Sequence, residues 1–232
     1  MNSAPGSNKG VLKIHKMSES IPSIAQCLAL MDRYGMLDNI RAHSLIVARV
    51  AEALLTGMKA NRTQGTELPD PALVLAGALL HDIAKTICLN TQCDHARKGR
   101  DICLELGYPI IGDIVREHVR LKDFSTDRYS RGIFFAKELV YYADKRVRHD
   151  TIVSLDERMA YIIERYGNND QQRHQLITEN FQRCRILEHH LFFHVNFTAD
   201  ELATEVSKQP ILRPQSQELQ DPFPGKSGHL QK

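Results

Sequence analysis

Between residues 19 and 207 the apolar positions recur at helical spacing, and turn signals cut the pattern into segments. Ile21–Tyr34 reads as a first helix and Asp38–Met58 as a second, with Asp38 or Asn39 as N-cap. The polar stretch Asn61–Pro69 is a loop, after which Pro71 suits the first turn of a short, very apolar helix reaching Asp82. Asp94 caps a helix that runs to Leu106 and ends at Gly107, and Pro109 opens another that runs to Leu121. Ser130–Val147, Leu155–Tyr166, Asp170–His194 and Ala199–Ser207 complete the set. No alternating run is flanked by hairpin signals and no segment repeats, so the expected fold is all-α, a compact multi-helix bundle with a C-terminal helical extension. Residues 1–18 read as a mobile lead-in. Residues 208–232, with Pro210, Pro214, Pro222 and Pro224 among Gln, Ser and Gly, read as a disordered or surface-draped tail.

Composition narrows the classes. The 232 residues carry 30 Lys+Arg against 28 Asp+Glu, a net charge of +2, which gives no whole-chain basic field and argues against general nucleic-acid binding. Five cysteines, at 27, 88, 93, 103 and 184, are an odd and scattered set, unlike a secreted disulfide framework, and fit a reducing cytoplasm. No signal-like segment opens the chain and no 18-residue stretch reads as apolar enough to cross a membrane, so no membrane partner is expected. Histidine is the unusual residue, with 11 copies.

The most apolar helix, Ala72–Leu80, runs directly into His81-Asp82-Ile83-Ala84-Lys85. Burying a carboxylate there costs several kcal/mol unless it is paired or bound to a cation, and a metal ion meets that need with a neutral nitrogen and an anionic oxygen. Three further positions repeat the oddity. His43 lies on the face of Ile40, Ile46, Val47 and Val50, His118 on that of Ile111, Ile114, Val115 and Leu121, and Asp144 on that of Ala136, Val140 and Tyr141. A single such residue is usually a hydrogen-bonded core histidine or a salt-bridge partner. Four inward-facing ligand-type positions on four helices point instead to a shared metal site.

At these residues the chain resembles the HD-domain superfamily of metal-dependent phosphohydrolases, in its HDIG-like subgroup. The family's early histidine falls on His43, its doublet on His81-Asp82 within His-Asp-Ile-Ala-Lys, and its later aspartate on Asp144, over residues 38–148. The resemblance implies an all-helical bundle. It also implies one or two divalent transition metals (Fe, Mn, Zn, Co or Ni), with His43, His81, Asp82 and Asp144 at one ion, and His95 and His118 completing a second that shares Asp82. Where many relatives have two consecutive histidines this chain has His118-Val119. Gly107-Tyr108-Pro109 spells the tripeptide of the HD-GYP cyclic-di-GMP phosphodiesterases but precedes His118 instead of following it, so that substrate is not supported. Cys88, Cys93 and His95 lack the second matched pair of a closed zinc site and read as structural or incidental thiols. His189, His190 and His194 lack the zincin spacing and read as core-edge or surface residues.

The implied chemistry is attack of a metal-activated water on phosphorus, with Asp82 as the catalytic carboxylate. Lys85, Lys98 and Arg120 are the candidate substrate-phosphate contacts, and with Arg97 and Lys122 they would make the site's mouth positive. Asp113 and Glu117 are candidates to orient the ligand histidines. The expected partner is a small phosphorylated molecule such as a nucleotide. Two other classes stay open: a regulatory metal- and ligand-binding module with little turnover, and a di-iron oxygenase. Substrate, metal identity and oligomeric state are not legible.

Overall fold

The computed structural model describes residues 20–62, 67–91 and 93–208. The lead-in expected at 1–18 lies outside them, and so does the expected tail apart from Lys208, which closes the last helix.

Helix α1 (Ile24–Arg33) starts at a reciprocal cap, in which Ser23 Oγ accepts from the Gln26 amide and the Gln26 side chain accepts from the Ser23 amide. Helix α2 (Asp38–Ala60) has Leu37 at its N-cap with no side-chain bond, so neither Asp38 nor Asn39 caps it. Helix α3 (Pro71–Leu80), capped by Asp70 on the Ala72 amide at 2.8 Å, is buried on every side from Ala76 onward, as its uniformly apolar sequence requires. It packs against α2 and α1, and against two helices further along the chain, α6 (Pro109–Glu117) and α8 (Ala136–Lys145). Between them come α4 (Lys85–Cys88), α5 (His95–Glu105) and α7 (Thr126–Ser130). Helices α9 (Leu155–Tyr166), α10 (Gln171–Phe193) and α11 (Leu202–Lys208) form the extension, and α10 joins the common core through Phe181, Cys184, Leu187 and Leu191.

The helical architecture is the one expected, with four local departures. Two short strands, β1 (Val147–Arg148) and β2 (Thr151–Ile152), pair antiparallel around a tight turn in which His149 takes a left-handed φ of 58°. Helix α6 stops at Glu117 instead of Leu121: the Val115 carbonyl that the Val119 amide would need is taken by the His118 ring at 2.6 Å, and donors from elsewhere hold the chain that follows. The Lys145 ammonium binds the His118 carbonyl at 3.0 Å and the Asn180 amide binds that of Val119 at 2.9 Å. The segment expected as one helix from Ser130 to Val147 is helical only from Ala136 to Lys145, and a separate helix, α7, ends at Ser130. Ser125 caps α7, Gly132 turns the chain at φ 72°, and α8 restarts where the Glu138 carboxylate accepts from the Phe135 amide. Finally, Cys88 and Cys93 are not free thiols. The loop between α4 and α5 folds back until their Cα atoms are 5.1 Å apart and a disulfide joins them.

Contrary to the expectation from the sequence, the 18 residues Pro71–Cys88 do reach a mean hydropathy of 1.4. Their apolar character serves the interior, since α3 lies in the middle of the bundle. The closeness of that packing is testable at Gly77, where an added Cβ would lie 2.8 Å from Cγ2 and 2.9 Å from Cδ1 of the buried, β-branched Ile114. Gly77→Val should lower the unfolding free energy by about 2 kcal/mol, read from the urea midpoint. An unchanged midpoint would contradict the close approach of α3 and α6.

Candidate metal centre

Helices α3 and α6 end in the same way. In each, the histidine that follows the last helical residue folds back and gives its Nδ1 proton to a terminal carbonyl three residues earlier: His81 to Ala78 at 2.7 Å, and His118 to Val115 at 2.6 Å. His43, on the buried face of α2, gives its Nδ1 proton to the His149 carbonyl at 2.9 Å, at the tip of the β1–β2 turn. A carbonyl can only accept, so each Nδ1 carries the proton, and in its neutral form each ring turns an Nε2 lone pair inward.

Those lone pairs meet one another and two carboxylates. His43 Nε2 lies 3.0 Å from Asp144 Oδ1, and His95 Nε2 lies 3.2 Å from His118 Nε2. Asp82 Oδ1 is 3.4 Å from His95 Nε2 and 3.5 Å from His118 Nε2, while Asp82 Oδ2 is 3.4 Å from His81 Nε2. The outer oxygens are held by lysines, Asp82 Oδ2 by Lys85 and Asp144 Oδ2 by Lys145, each at 2.7 Å. Asp82 Oδ1 and His81 Nε2, both fully buried, have no hydrogen-bond partner. Acceptors facing acceptors in a buried site need a cation between them, and the donor set of neutral nitrogens and carboxylate oxygens suits a divalent transition metal. Two triads can each hold one, His43–His81–Asp82 and Asp82–His95–His118, with Asp144 beside the first.

The protonation states agree. Burial, and then the neighbouring His118, push the His95 imidazole down to about 4, and burial also lowers His43 and His118, which keeps these three rings neutral and able to ligate. Burial pushes His81 down as well, but the charge of Asp82 outweighs it and its pKa rises, a sign of how strongly the centre favours positive charge. Burial raises both carboxyls, yet Lys85 with His81 holds Asp82, and Lys145 with His43 and Arg158 holds Asp144, well below the usual carboxylate range.

All six expected ligands therefore converge. Of the expected phosphate contacts, Lys85 and Arg120 line a cavity of about 550 Å³ that opens on the centre beside His95, His118 and Asp144, whereas Lys98 is exposed on α5 and does not line it. Asp113 pairs with Arg100 and Glu117 accepts from the Lys122 amide, and backbone carbonyls do the orienting expected of these two carboxylates. His194 bonds the Tyr129 carbonyl, and His189 and His190 do not line the cavity either.

Sequence reasoning missed Lys145, Arg158 and Arg173, which also line the cavity. Arg158 had a signal of the same kind as His43. It lies three residues after Leu155 and four before Ile162 on the inner face of α9, is 7% exposed, and points Nη2 at Asp144 Oδ1 from 3.7 Å.

The HD-domain family model matches residues 40–148. No curated protein and no solved structure matches the chain.

Two outcomes follow for protein stripped with a chelator. Adding Mn²⁺ at about 100 times its Kd should stabilise it by about 2.7 kcal/mol, a rise in Tm of roughly 5–10 °C, and no rise with any divalent ion would contradict the site. Without metal, the lowered pKa values of His43, His95 and His118 mean that their contribution to stability is complete above about pH 6.5 and is lost as pH falls towards their folded values. Asp82 and Asp144 extend that loss below about pH 4, while raised His81 acts oppositely and loses its contribution as pH rises. Calorimetric Tm of the stripped protein should therefore drop steadily from pH 6.5 to 4, and a flat profile would refute the assignment.

Proposed function

We propose, from the membership of residues 40–148 in the HD-domain family and from the centre they build, that the protein is a metal-dependent phosphohydrolase. Its substrate on this reading is a phosphate ester or anhydride of a nucleotide or similar small molecule. The observation that carries the reading is Asp82, buried and shared by two ligand triads whose His95 and His118, with Asp144, open on a cavity edged with cations. His43, His81, Asp82 and Asp144 would hold one divalent ion, and Asp82, His95 and His118 a second. When bound, such ions acidify water and neutralise the oxygens of a transferring phosphoryl group.

The chain's own residues supply the rest. Lys85 and Lys145 each hold the outer oxygen of a ligand carboxylate and also face the cavity, where with Arg158 they offer donors to phosphate oxygens. Fixing those three cations in advance places positive charge where the transition state gathers negative charge, at no cost in reorganisation during reaction. Arg120, exposed at the mouth, attracts an anionic substrate. A cavity of about 550 Å³ lies within the range of small-molecule sites.

Purified protein reconstituted in turn with Mn²⁺, Fe²⁺, Zn²⁺, Co²⁺ and Ni²⁺ should release inorganic phosphate from a panel of phosphate esters and anhydrides. Asp82→Ala should fall to the background rate while keeping the helical circular-dichroism signal. Full metal occupancy without turnover on any member of the panel would overturn the hydrolytic reading.

A further inference from the structure

The cavity has two unlike halves. Its floor is one side of the metal centre, His95, His118 and Asp144, with the cations Lys85, Lys145 and Arg158. Its wall belongs to α9 and α10, which lie beyond residues 40–148. Along α10, Arg173, Leu176, Ile177, Asn180 and Phe181 follow at three- and four-residue spacings, so a single stripe of that helix faces the cavity, and Ile162 and Tyr166 do the same from α9. At the rim, Leu89, Val119, Tyr166 and Leu176 are 41–56% exposed, a ring of large apolar side chains at the entrance to a charged floor.

The hydrogen-bonding groups of the lining gather at its floor (Lys85, His95, His118, Asp144, Lys145 and Arg158) and among its exposed residues (Arg120, Tyr166 and Arg173, the last donating to the Tyr166 carbonyl at 3.2 Å). Along the wall between them, Asn180 is the one uncharged polar side chain among the described residues. Asn180 is already committed at both ends, its amide donating to the Val119 carbonyl at 2.9 Å and its Oδ1 accepting from Tyr141 at 3.0 Å. A sugar or nucleobase laid along Ile162, Ile177 and Phe181 would lose water from several hydroxyl, amine or carbonyl groups and find few partners on that stretch of wall, which penalises a polar ligand body there. An alkyl or aryl body meets no such penalty and covers Ile162, Ile177 and Phe181.

We propose that the α9–α10 face makes the enzyme selective, within its class, for phosphate esters with an apolar body: the phosphate at the metal floor, and an alkyl or aryl group lying along Ile177 and Phe181 and leaving past Leu176 and Tyr166. This rests on the phosphohydrolase reading and, within it, moves the preferred substrate from nucleotides to phosphate esters of an apolar alcohol. It assigns specificity to the extension and leaves the chemistry to the HD domain.

The test uses the full chain loaded with Mn²⁺ and two ligand series. In the first, kcat/KM for ethyl, butyl, hexyl and octyl phosphate should rise by about fourfold for each methylene buried until the cavity is filled. Hexyl phosphate should exceed glycerol phosphate and the nucleoside monophosphates by at least about tenfold. In the second, calorimetric affinity for the matching non-hydrolysable alkylphosphonates should rise with chain length in the same way. Leu176→Asp should reduce the octyl-to-ethyl ratio in both series. A flat dependence on chain length, tighter binding of the polyhydroxy or nucleotide ligands, or a ratio unmoved in Leu176→Asp would overturn the proposal. Chain-length-dependent phosphonate binding without hydrolysis of any ester would sustain the apolar pocket and sink the hydrolytic reading instead.

Discussion

The structure depends on a conflict that only positive charge resolves. Asp82 and His81 sit at the end of the most buried helix of the bundle, with an inner carboxylate oxygen and an inner ring nitrogen that have no hydrogen-bond partner. Around them the lone pairs of His43 and His118, the Nε2 of His95 and the inner oxygen of Asp144 point to the same space. Each such contact is unfavourable in a dry interior, and together they cost more than a bundle of marginal stability spends without a return. Divalent cations turn every one of these contacts from repulsive to attractive. The surrounding fold is arranged to enforce the convergence: carbonyls at the ends of α3 and α6 lock two tautomers, the β1–β2 turn locks a third, and Lys85 and Lys145 hold the outer oxygens so that the inner ones face the centre.

Much of this was legible in the sequence because the signals are local. Ser, Asp and Pro at helix starts, Gly107 after α5 and the periodic apolar faces placed most helices to within a turn. A histidine among apolar residues at helical spacing is locally anomalous, which is why His43, His81 and His118 could be read without coordinates. What escaped depends on partners distant in the chain. The path of the chain just after α6 is held by Lys145 and Asn180, and the tautomer of His43 by a carbonyl 106 residues away. Lys98 looked as good as Arg120 because both flank a ligand histidine, but only Arg120 lines the cavity. The Cys88–Cys93 bridge is invisible to a count of cysteines over the whole chain because it closes one short loop. Arg158 was legible by the same anomaly that marked His43 and went unread.

A division of labour follows. Residues 40–148 carry every candidate ligand, while much of the cavity wall comes from α9 and α10. Phe181, Cys184, Leu187 and Leu191 anchor α10 in the common core, so the wall is held rigidly against the floor. Asn180 and Arg158 join the two parts, the first holding the Val119 carbonyl beside His118 and the second lying against Asp144. A change in the extension can therefore alter which ligand fits without moving the ligand set.

The central claim is that the inward lone pairs enclose divalent cations. Anomalous diffraction from crystals grown with Mn²⁺, recorded on both sides of the metal's absorption edge, tests it most directly. Two peaks per chain are expected, on either side of Asp82, one beside His43 and His81 and the other beside His95 and His118. An empty centre at saturating metal, or peaks only on surface residues, would contradict it.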